Sequence, residues 1–570
     1  MGQNEEDLRK LIIIGLDGGT FDLIGPWVNE GKLPAFGRMM EEGTIGELRS
    51  TIHPHTAPAW VSFMTGKNPG KHGVYDFVKR KLDTYDVELV YAGDLQCKTL
   101  WTHLSECGKR VGAINIPMIY PPRPVNGFLI SGIDTPGLGS PFTYPPDLHD
   151  ELRINTGNYI IAVSGNSLDE WAEGFRSMVE SRTRAFDYLR EHKPWDCLMV
   201  VYSATDMSQH LFWKHMEGLG SEAPTIEDRK YGGIILETYQ RIDAMLGRLL
   251  DEVTEDTAIM IMSDHGAGPL KRVVFINRWL AEQGWLVPRM TARSSSPSQL
   301  ATRLRRRSLM KGLFLAKKHL PQRTRGWLKR NLPGMRDSIE GYMLSSALDW
   351  SRTKAFSLGS YGNIYLNLRG REPQGIVSPG SESEELCDQI ITGLERLRDP
   401  ESGDRVVERV YRKDELYFGD RVNEAPDLIV QWRNYEYDCR QRYGSEETSV
   451  FGDEITIHDL QEQPISGVHR LSGIFLLRGQ HVPRNKQIQG ARIIDLAPTA
   501  LYLLGVPIPR TMDGQVLTAA LDEGFVSSHP PIYADDEQGK IDGLRPPNTG
   551  YTDREARAVE DRLKGLGYLQ

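Results

Sequence analysis

Carboxylate and imidazole side chains stand just after three apolar runs of this sequence and in one later loop. The runs are 11–16, 196–202 and 257–262. The side chains are Asp17, Asp206, His210, Asp264, His265 and His469. Carboxylates and imidazoles at the ends of several strands of a parallel sheet are what a divalent metal site needs. Two such sets, around Asp206 and around Asp264, predict two ions, and two ions indicate phosphoryl or phosphodiester chemistry.

The local spacing of these residues is informative mainly in combination. Asp206 and His210 are four residues apart, so on a helix they share a face and can chelate one ion, although the spacing also suits a surface pair. Asp264 and His265 are adjacent, so both reach one metal only if the strand has ended, which a following glycine favours. Asp17 in LDGG also suits a turn. Together these strand-end positions favour metals over the separate alternatives.

Thr56 is the candidate nucleophile. It lies in HPHTAPAWVSFMTG, where Pro58 fits the first turn of a helix that runs to Gly66. This places the Thr56 hydroxyl at or near the helix N-terminus, where unpaired N–H groups and the positive dipole end favour an incoming phosphate. A metal on its oxygen would lower the pKa of the hydroxyl and make it a nucleophile. The alternative is a plain capping threonine.

The bulk composition is that of an ordinary globular protein. The chain has 570 residues, of which 39% are hydrophobic and 25% charged, and its net charge of −9 argues against general nucleic-acid binding. Its five cysteines form no CxxC pair, which fits a reducing compartment. The first apolar run is too short for a signal peptide, and no run approaches the roughly 18 apolar residues of a spanning helix. We therefore expect a cytoplasmic protein.

Apolar runs alternate with helical stretches along most of the chain, which predicts an α/β fold. The predicted strands are 11–16, 111–116, 196–202, 257–262, 426–432 and 474–477. The predicted helices between them include 33–43, 231–250 and 495–504. Continuously apolar strands are typical of a sheet that helices cover on both faces. We expect a doubly wound, mostly parallel sheet flanked by helices.

One segment differs from this pattern. Between Arg293 and Arg336 the chain has no acidic residue but many Lys and Arg, including Arg305 to Arg307. The alternatives are a solvated basic helical insertion, a lid that attracts an anionic substrate, and an interfacial helix that makes peripheral contact with anionic lipid. We predict a catalytic domain in two parts, 8–288 and 346–519, a basic insertion or cap at 289–345, and a C-terminal arm and helix at 520–570. The last helix begins with the capping box Thr552-x-x-Glu555, and the arm before it, 520–550, is expected to be irregular.

In their order, these motifs resemble the alkaline phosphatase superfamily, in its type I phosphodiesterase/nucleotide pyrophosphatase branch. The likeness is greatest to the group called AP-superfamily phosphohydrolase/phosphomutase. The strings that carry it are LIIIGLDGGTFD, TAPAWVSFMTGKNPGKHGVYDF, ATDMSQH, MSDHGAG, SGVHR and DLAPTALYLLGVPIPRTMDG. They span 11 to about 517, nearly the whole chain.

The resemblance implies a division of ligands and a mechanism. One ion would be held by Asp17, Asp264 and His265, with Thr56 bound to it as nucleophile. The second would be held by Asp206, His210 and His469. The two ions are usually zinc in this family, with manganese as the alternative. The implied reaction is in-line attack by Thr56, a phosphothreonine intermediate, and hydrolysis of that intermediate.

One departure bears on the substrate. Relatives that cleave nucleotide diesters carry an Asn about twenty residues after the nucleophile, whereas this chain has Val74-Tyr75-Asp76-Phe77 there. The prediction is therefore a hydrolase of a small anionic phosphodiester or phosphomonoester rather than specifically a nucleotide pyrophosphatase. The alternatives are a phosphomutase or phospho-group transferase with the same site, and a non-catalytic binding protein with the same fold.

Overall fold

A computed structural model describes most of the chain. It covers residues 10–81, 84–165, 167–254, 256–289, 348–441, 449–452, 455–456, 464–535, 550–566 and 568–569. The predicted basic insertion, 289–345, therefore lies outside the described residues apart from Arg289. In the part that is described, no helix combines the length and apolar character needed to cross a membrane.

A nine-stranded sheet forms the centre of the molecule. In chain order its strands are β1 (Lys10–Leu16), β2 (Thr44–Arg49), β3 (Val111–Ile116), β4 (Gly127–Ser131), β5 (Thr143–Tyr144), β6 (Cys197–Tyr202), β7 (Thr257–Met262), β8 (Ser472–Arg478) and β9 (Lys486–Arg492). Their order across the sheet is β9-β2-β8-β7-β1-β6-β3-β4-β5. The pairs β2–β9, β7–β1, β1–β6, β6–β3 and β3–β4 are parallel, and only β8 and β5 run against their neighbours. The predicted mostly parallel sheet is confirmed.

The central strands are buried on both faces because helices cover both sides. Every residue of β3, β6 and β7 is buried, as their unbroken apolar sequences require. The main hydrophobic core joins these strands to the flanking helices. The α-helices described are Phe21–Asn29, Pro34–Glu42, Thr56–Thr65, Pro69–His72, Leu100–Glu106, Leu148–Thr156, Leu168–His192, Ala204–Leu219, Ile226–Tyr231, Ile234–Glu252, Ile276–Glu282, Ser381–Glu395, Lys413–Leu416, Leu496–Leu503, Glu523–Ser528 and Asp553–Gly565.

A second, antiparallel sheet has its own core. Its four strands, in spatial order, are Ala355–Ser357, Asn363–Leu366, Leu428–Trp432 and Val407–Arg412. The strand predicted at 426–432 exists but belongs to this sheet, so its assignment to the parallel sheet was wrong. Burial of both faces produces the same apolar run in either sheet, and the sequence could not distinguish them. The domain boundaries stay a prediction.

One helix prediction and the prediction of an irregular arm also need correction. The helix predicted over 231–250 begins only at Ile234 and runs to Glu252. A Gly-Gly pair at 232–233 separates it from a preceding helix, Ile226–Tyr231. The arm expected to be irregular contains the helix Glu523–Ser528 within its described part. Asp522 caps that helix by accepting hydrogen bonds from the N–H groups of Gly524 and Phe525.

The C-terminal residues 550–566 and 568–569 fold back onto the edge of the main sheet. Its helix begins with the predicted capping box, in which Thr552 and Glu555 exchange hydrogen bonds. Val559 and Leu563 are buried in the main core. The loop that follows β4 receives this segment through Asp134 and its neighbours, since the Tyr551 hydroxyl donates to the carbonyl oxygen of Asp134 at 2.8 Å.

The carboxyl group of Asp134 makes the stability of this region depend on pH. It is buried and accepts hydrogen bonds from the N–H groups of Met118 and Tyr120, yet burial raises its pKa to about 6. Because this exceeds the ordinary value of about 3.9, the folded state holds the proton more tightly than the unfolded state. Protonation of Asp134 therefore stabilises the folded state. This contribution is fully present below about pH 4 and is lost as the pH rises through 6.

We predict that the stability advantage of the wild type over Asp134→Asn shrinks as the pH rises. Between about pH 4.5 and 7.5 the difference in free energy of unfolding should fall by at most on the order of 2 kcal/mol. Urea denaturation of both proteins in the presence of chelator measures it. A difference that stays constant with pH would contradict the assigned pKa.

Candidate metal centre

Three neighbouring strands bring the candidate ligands to one edge of the sheet. In the parallel register, Leu16 of β1 lies beside Tyr202 of β6, and Gly15 lies beside Met262 of β7. The residues that follow these strands therefore leave the sheet side by side. A separate two-stranded ribbon, Gly266–Pro269 with Gly467–Arg470, pairs Ala267 with His469. This ribbon carries the last candidate ligand to the same edge.

Asp206, His210 and His469 form the first ligand group. Asp206 and His210 lie one turn apart on the helix Ala204–Leu219, and His210 Nε2 is 3.2 Å from Asp206 Oδ2. His469 Nε2 lies 3.0 Å from His210 Nε2 and 3.4 Å from Asp206 Oδ1. All three side chains are buried. Two imidazole nitrogens and a carboxylate thus face one small volume.

Asp17, Asp264, His265 and Thr56 form the second group around the His265 ring. His265 Nε2 is 3.5 Å from Asp17 Oδ1, 3.3 Å from Asp264 Oδ2 and 3.3 Å from Thr56 Oγ1. All four side chains are fully buried. The strand β7 ends at Met262, so Asp264 and His265 lie in the turn beyond it and both face the site. The seven side chains named from the sequence therefore lie together.

Asp206 lies within reach of both groups. Ligand atoms of Asp206, His210 and His469 lie within 4.8 Å of one another, and so do those of Asp17, Asp206 and His265. The resemblance assigned Asp206 to only one ion, with Asp264 completing the other set. The geometry keeps Asp264 against His265 but adds Asp206 as a carboxylate between the two groups.

The histidine tautomers follow from the partners of each Nδ1 atom. His265 Nδ1 is 2.9 Å from the carbonyl oxygen of Gly266, and His210 Nδ1 is 2.7 Å from that of Gly467. His469 Nδ1 is 2.8 Å from the carbonyl oxygen of Pro54. A carbonyl accepts only from a protonated nitrogen, so each Nδ1 carries a hydrogen, and in the neutral ring Nε2 then presents a lone pair to the site. This is the arrangement in which histidine binds a metal.

Buried carboxylate oxygens without donors show that the site fits cations. Asp17 Oδ1 and Oδ2, Asp206 Oδ1 and Asp264 Oδ2 accept no hydrogen bond from the described part of the chain. Leaving so many charged oxygens unsatisfied in the interior is very costly unless a cation compensates them. The lone pairs of His210 Nε2 and His469 Nε2, only 3.0 Å apart, need an electrophile between them for the same reason. The donor set therefore fits divalent metal ions.

Gly18 permits the close approach of the two groups. Its φ is +67°, and a Cβ atom there would lie 2.9 Å from Asp206 Oδ1. Its N–H also donates to Asp264 Oδ1 at 3.3 Å. Any larger residue would strain the backbone and push Asp206 away from Asp17. The close approach of these two carboxylates therefore requires glycine at position 18, the first glycine of LDGG.

The pKa shifts of the candidate ligands also indicate that the site needs cations. Burial, reinforced by repulsion from Asp264, raises the pKa of Asp17 well above its usual range. Burial and the charge of Asp206 do the same to the pKa of Asp264. Burial also lowers the pKa of His265 well below its usual range, which keeps this imidazole neutral and able to bind a metal.

Thr56 begins the helix Thr56–Thr65, with His55 as its N-cap residue. The N–H groups of its first turn have no carbonyl partner within the helix, and the helix dipole directs positive potential toward the site. An anionic phosphoryl group beside Thr56 Oγ1 would be stabilised by these N–H groups and by the positive end of the helix dipole. This agrees with the position predicted from the sequence.

Three side chains near the site were not singled out from the sequence. His55 is buried beside Thr56, and its Nε2 accepts or donates no hydrogen bond among the described residues. The Tyr361 hydroxyl lies 2.7 Å from His469 Nδ1, and that of Tyr568 donates to Asp206 Oδ2. His55 could have been suspected from its position next to Thr56. Tyr361 and Tyr568 come from distant segments without any recognisable motif.

A cavity of about 20 Å³ adjoins the first ligand group. Its wall includes His210, His469, Tyr361, Tyr568 and the pair Asp438–Arg440, whose carboxylate and guanidinium groups are 2.5 Å apart. The cavity therefore connects the candidate metal centre with a polar wall from the strand Tyr437–Arg440.

The mostly parallel sheet and its buried ligand groups fit a metal-dependent hydrolase of phosphoric esters. Residues 11–449 match the family model of type I phosphodiesterase/nucleotide pyrophosphatase, and the chain belongs to that family. The matched range contains six of the seven candidate site residues, and only His469 lies beyond it.

Solved structures with a similar chain path share little sequence with this protein. An inactive variant of murine ectonucleotide pyrophosphatase/phosphodiesterase 5 in complex with AMP is 12% identical, with a TM-score of 0.48 over 90% of this chain and 98% of that one. Phosphonoacetate hydrolase from Sinorhizobium meliloti 1021, in complex with phosphonoformate, is 16% identical, with a TM-score of 0.49 over 88% and 96% of the two chains. No curated protein matches the sequence.

Proposed function

We propose that this protein is a two-metal phosphohydrolase that cleaves a small phosphodiester or phosphomonoester, with Thr56 as the nucleophile. The observation that supports it most is the position of Thr56 Oγ1, 3.3 Å from His265 Nε2, beside buried carboxylate oxygens that have no hydrogen-bond donor. A hydroxyl at a helix start, next to a cation site, is suited to attack on phosphorus.

Zinc is the proposed metal at both sites, with manganese as the alternative. Three imidazoles and three carboxylates provide the nitrogen and oxygen donors that zinc accepts. Two divalent ions would more than neutralise the three carboxylates of Asp17, Asp206 and Asp264, and the excess positive charge suits an anionic ester. Bound there, the ions would stabilise charge on the phosphoryl oxygens and lower the pKa of the Thr56 hydroxyl.

The proposed reaction consists of two successive displacements at phosphorus. Thr56 Oγ1 attacks phosphorus, the bond from phosphorus to the substrate alcohol breaks, and the alcohol leaves. Water then cleaves the ester on Thr56, which releases the phosphate product and restores the hydroxyl. The backbone N–H groups of Thr56 and Ala57 would hold the phosphoryl oxygens during both displacements, since Pro58 has no N–H and that of Ala59 donates to the carbonyl oxygen of His55.

The polar lining of the cavity favours a small, polar substrate. The cavity borders His210 and His469, and its wall includes the Asp438–Arg440 pair. These features favour an ester of a small polar alcohol over one with a long apolar chain.

A substrate panel tests this function. Phosphomonoesters, phosphodiesters, sugar nucleotides and phospholipid head groups would be assayed with zinc and with manganese. We expect metal-dependent release of phosphate or phosphomonoester from at least one class, and no turnover of any of them would contradict the proposal. Adding an acceptor alcohol distinguishes hydrolysis from phosphoryl transfer, because a transferase would form the new ester.

Removing a ligand from either group should lower the metal content. We predict that Asp264→Asn and His210→Ala each lose one of the two zinc ions and most activity, because each removes a donor from only one group. Elemental analysis after zinc loading and desalting measures the stoichiometry. His72→Ala is a suitable control, since His72 is buried against Ser62 outside both groups and should keep two ions. Two ions in all three variants would contradict the assigned ligands.

A further inference from the structure

We infer that the C-terminal segment, residues 550–566 and 568–569, completes the metal centre and that Tyr568 is a positioning residue for Asp206. The inference rests on the proposed function, because it assigns Tyr568 a task at the metal site proposed above. It gives a role to the capping-box helix, which neither the family motifs nor the ligand groups explain.

The segment is held in place by interactions that involve none of the candidate metal ligands. Arg562 donates to the carbonyl oxygens of Ile133, Thr135 and Pro136. Leu563 and Leu566 are buried in the main core on the same side of the helix. A guanidinium group that satisfies three carbonyls of one loop fixes both the position and the direction of the helix. Tyr568, which lies just beyond the end of this helix, is thereby directed at the metal site.

Tyr568 lies between the first ligand group and Ser360, which stands in the loop between the strands Ala355–Ser357 and Asn363–Leu366 of the second sheet. It is only 2% exposed, and its ring packs 5.6 Å from Phe77 and 5.9 Å from His210, measured between ring centroids. Its carbonyl oxygen accepts a hydrogen bond from Ser360 Oγ at 3.1 Å. Its hydroxyl donates to Asp206 Oδ2. Both ends of the residue are therefore fixed.

The hydrogen bond from Tyr568 decides how Asp206 faces the site. With Oδ2 engaged by the hydroxyl, Oδ1 remains as an oxygen that accepts no hydrogen bond from the described residues. Asp206 is the carboxylate shared by the two ligand groups, so its rotation would disturb both. Hydrogen bonds that orient metal ligands typically contribute about 10- to 100-fold in metal affinity. Tyr568 therefore acts through Asp206 and not by contact with substrate.

Zinc binding by two matched variants tests this role. Tyr568→Phe removes the hydroxyl and keeps the ring. Tyr551→Phe removes the same group from the same segment, where the hydroxyl donates to the Asp134 carbonyl and to no other group among the described residues. Metal-free proteins would be titrated with zinc against a competing chelator. We expect Tyr568→Phe to weaken binding of at least one ion by about 10- to 100-fold, with Tyr551→Phe like the wild type.

Two further measurements separate positioning from simple destabilisation. The melting temperature of each metal-free variant should match that of the wild type, since a purely structural role would lower it without a selective loss of zinc. Arg562→Gln, which loosens the segment without touching the site, should also weaken zinc binding. Wild-type zinc affinity in both Tyr568→Phe and Arg562→Gln would overturn the inference. Failure of the wild type itself to bind zinc would instead reject the proposed function.

Discussion

Thr56→Ala is expected to abolish multiple turnover of any phosphate ester that the wild type hydrolyses. Removal of the nucleophile closes the covalent route, which should cost on the order of 10³-fold or more in kcat. Thr56 Oγ1 is 3.3 Å from His265 Nε2 but supplies only one of seven candidate ligands, so both ions should remain. Steady-state kinetics with zinc analysis on the same sample measures both effects.

Thr65→Ala provides the matched control for this prediction. Thr65 ends the same helix, is equally buried, and its hydroxyl donates to the carbonyl oxygen of Val61 at 2.7 Å. We expect near wild-type kcat for this variant. Turnover by Thr56→Ala comparable to that of Thr65→Ala would rule out the covalent mechanism.

Asp206→Asn is expected to have the largest effect on the metal centre. Because Asp206 belongs to both ligand groups, the loss of its charge should weaken both zinc ions, whereas Asp264→Asn and His210→Ala each affect one. The decrease in affinity should exceed the roughly 10- to 100-fold typical of losing an orienting hydrogen bond. Activity at limiting zinc should fall at least in proportion.

Asp243→Asn distinguishes this effect from the general result of changing a buried aspartate. Asp243 is also buried, and its Oδ1 accepts a hydrogen bond from the N–H of Phe36, which an amide oxygen can accept as well. This variant should retain two ions. Loss of a single ion from Asp206→Asn would show that Asp206 serves only one site, as the family resemblance implied.

The fold was predictable from sequence wherever burial imposed a simple pattern. Strands such as β6 and β7 are buried on both faces, so their apolar runs identify them almost to the residue. The same property misled at Leu428–Trp432, which is nearly as apolar but lies in the antiparallel sheet. Partner strands are chosen by long-range packing, which a local pattern does not encode.

The site was predictable where chemistry is concentrated in short motifs. Asp264 and His265 lie directly beyond a recognisable strand, and Asp206 and His210 share a helix face as their spacing requires. Tyr568 reaches Asp206 only because a distant helix docks beside the main sheet. Such contacts depend on tertiary structure, and an isolated tyrosine gives no sequence signal for them.

Acid quenching during turnover tests the central claim most directly. The zinc-loaded protein would be mixed with p-nitrophenyl phosphate or bis(p-nitrophenyl) phosphate, quenched in acid, digested and analysed by mass spectrometry. The proposed mechanism predicts a phosphorylated or phosphodiester-bearing peptide modified at Thr56, absent from Thr56→Ala. Sustained hydrolysis with Thr56 unmodified, or with the phosphoryl group on another residue, would contradict it.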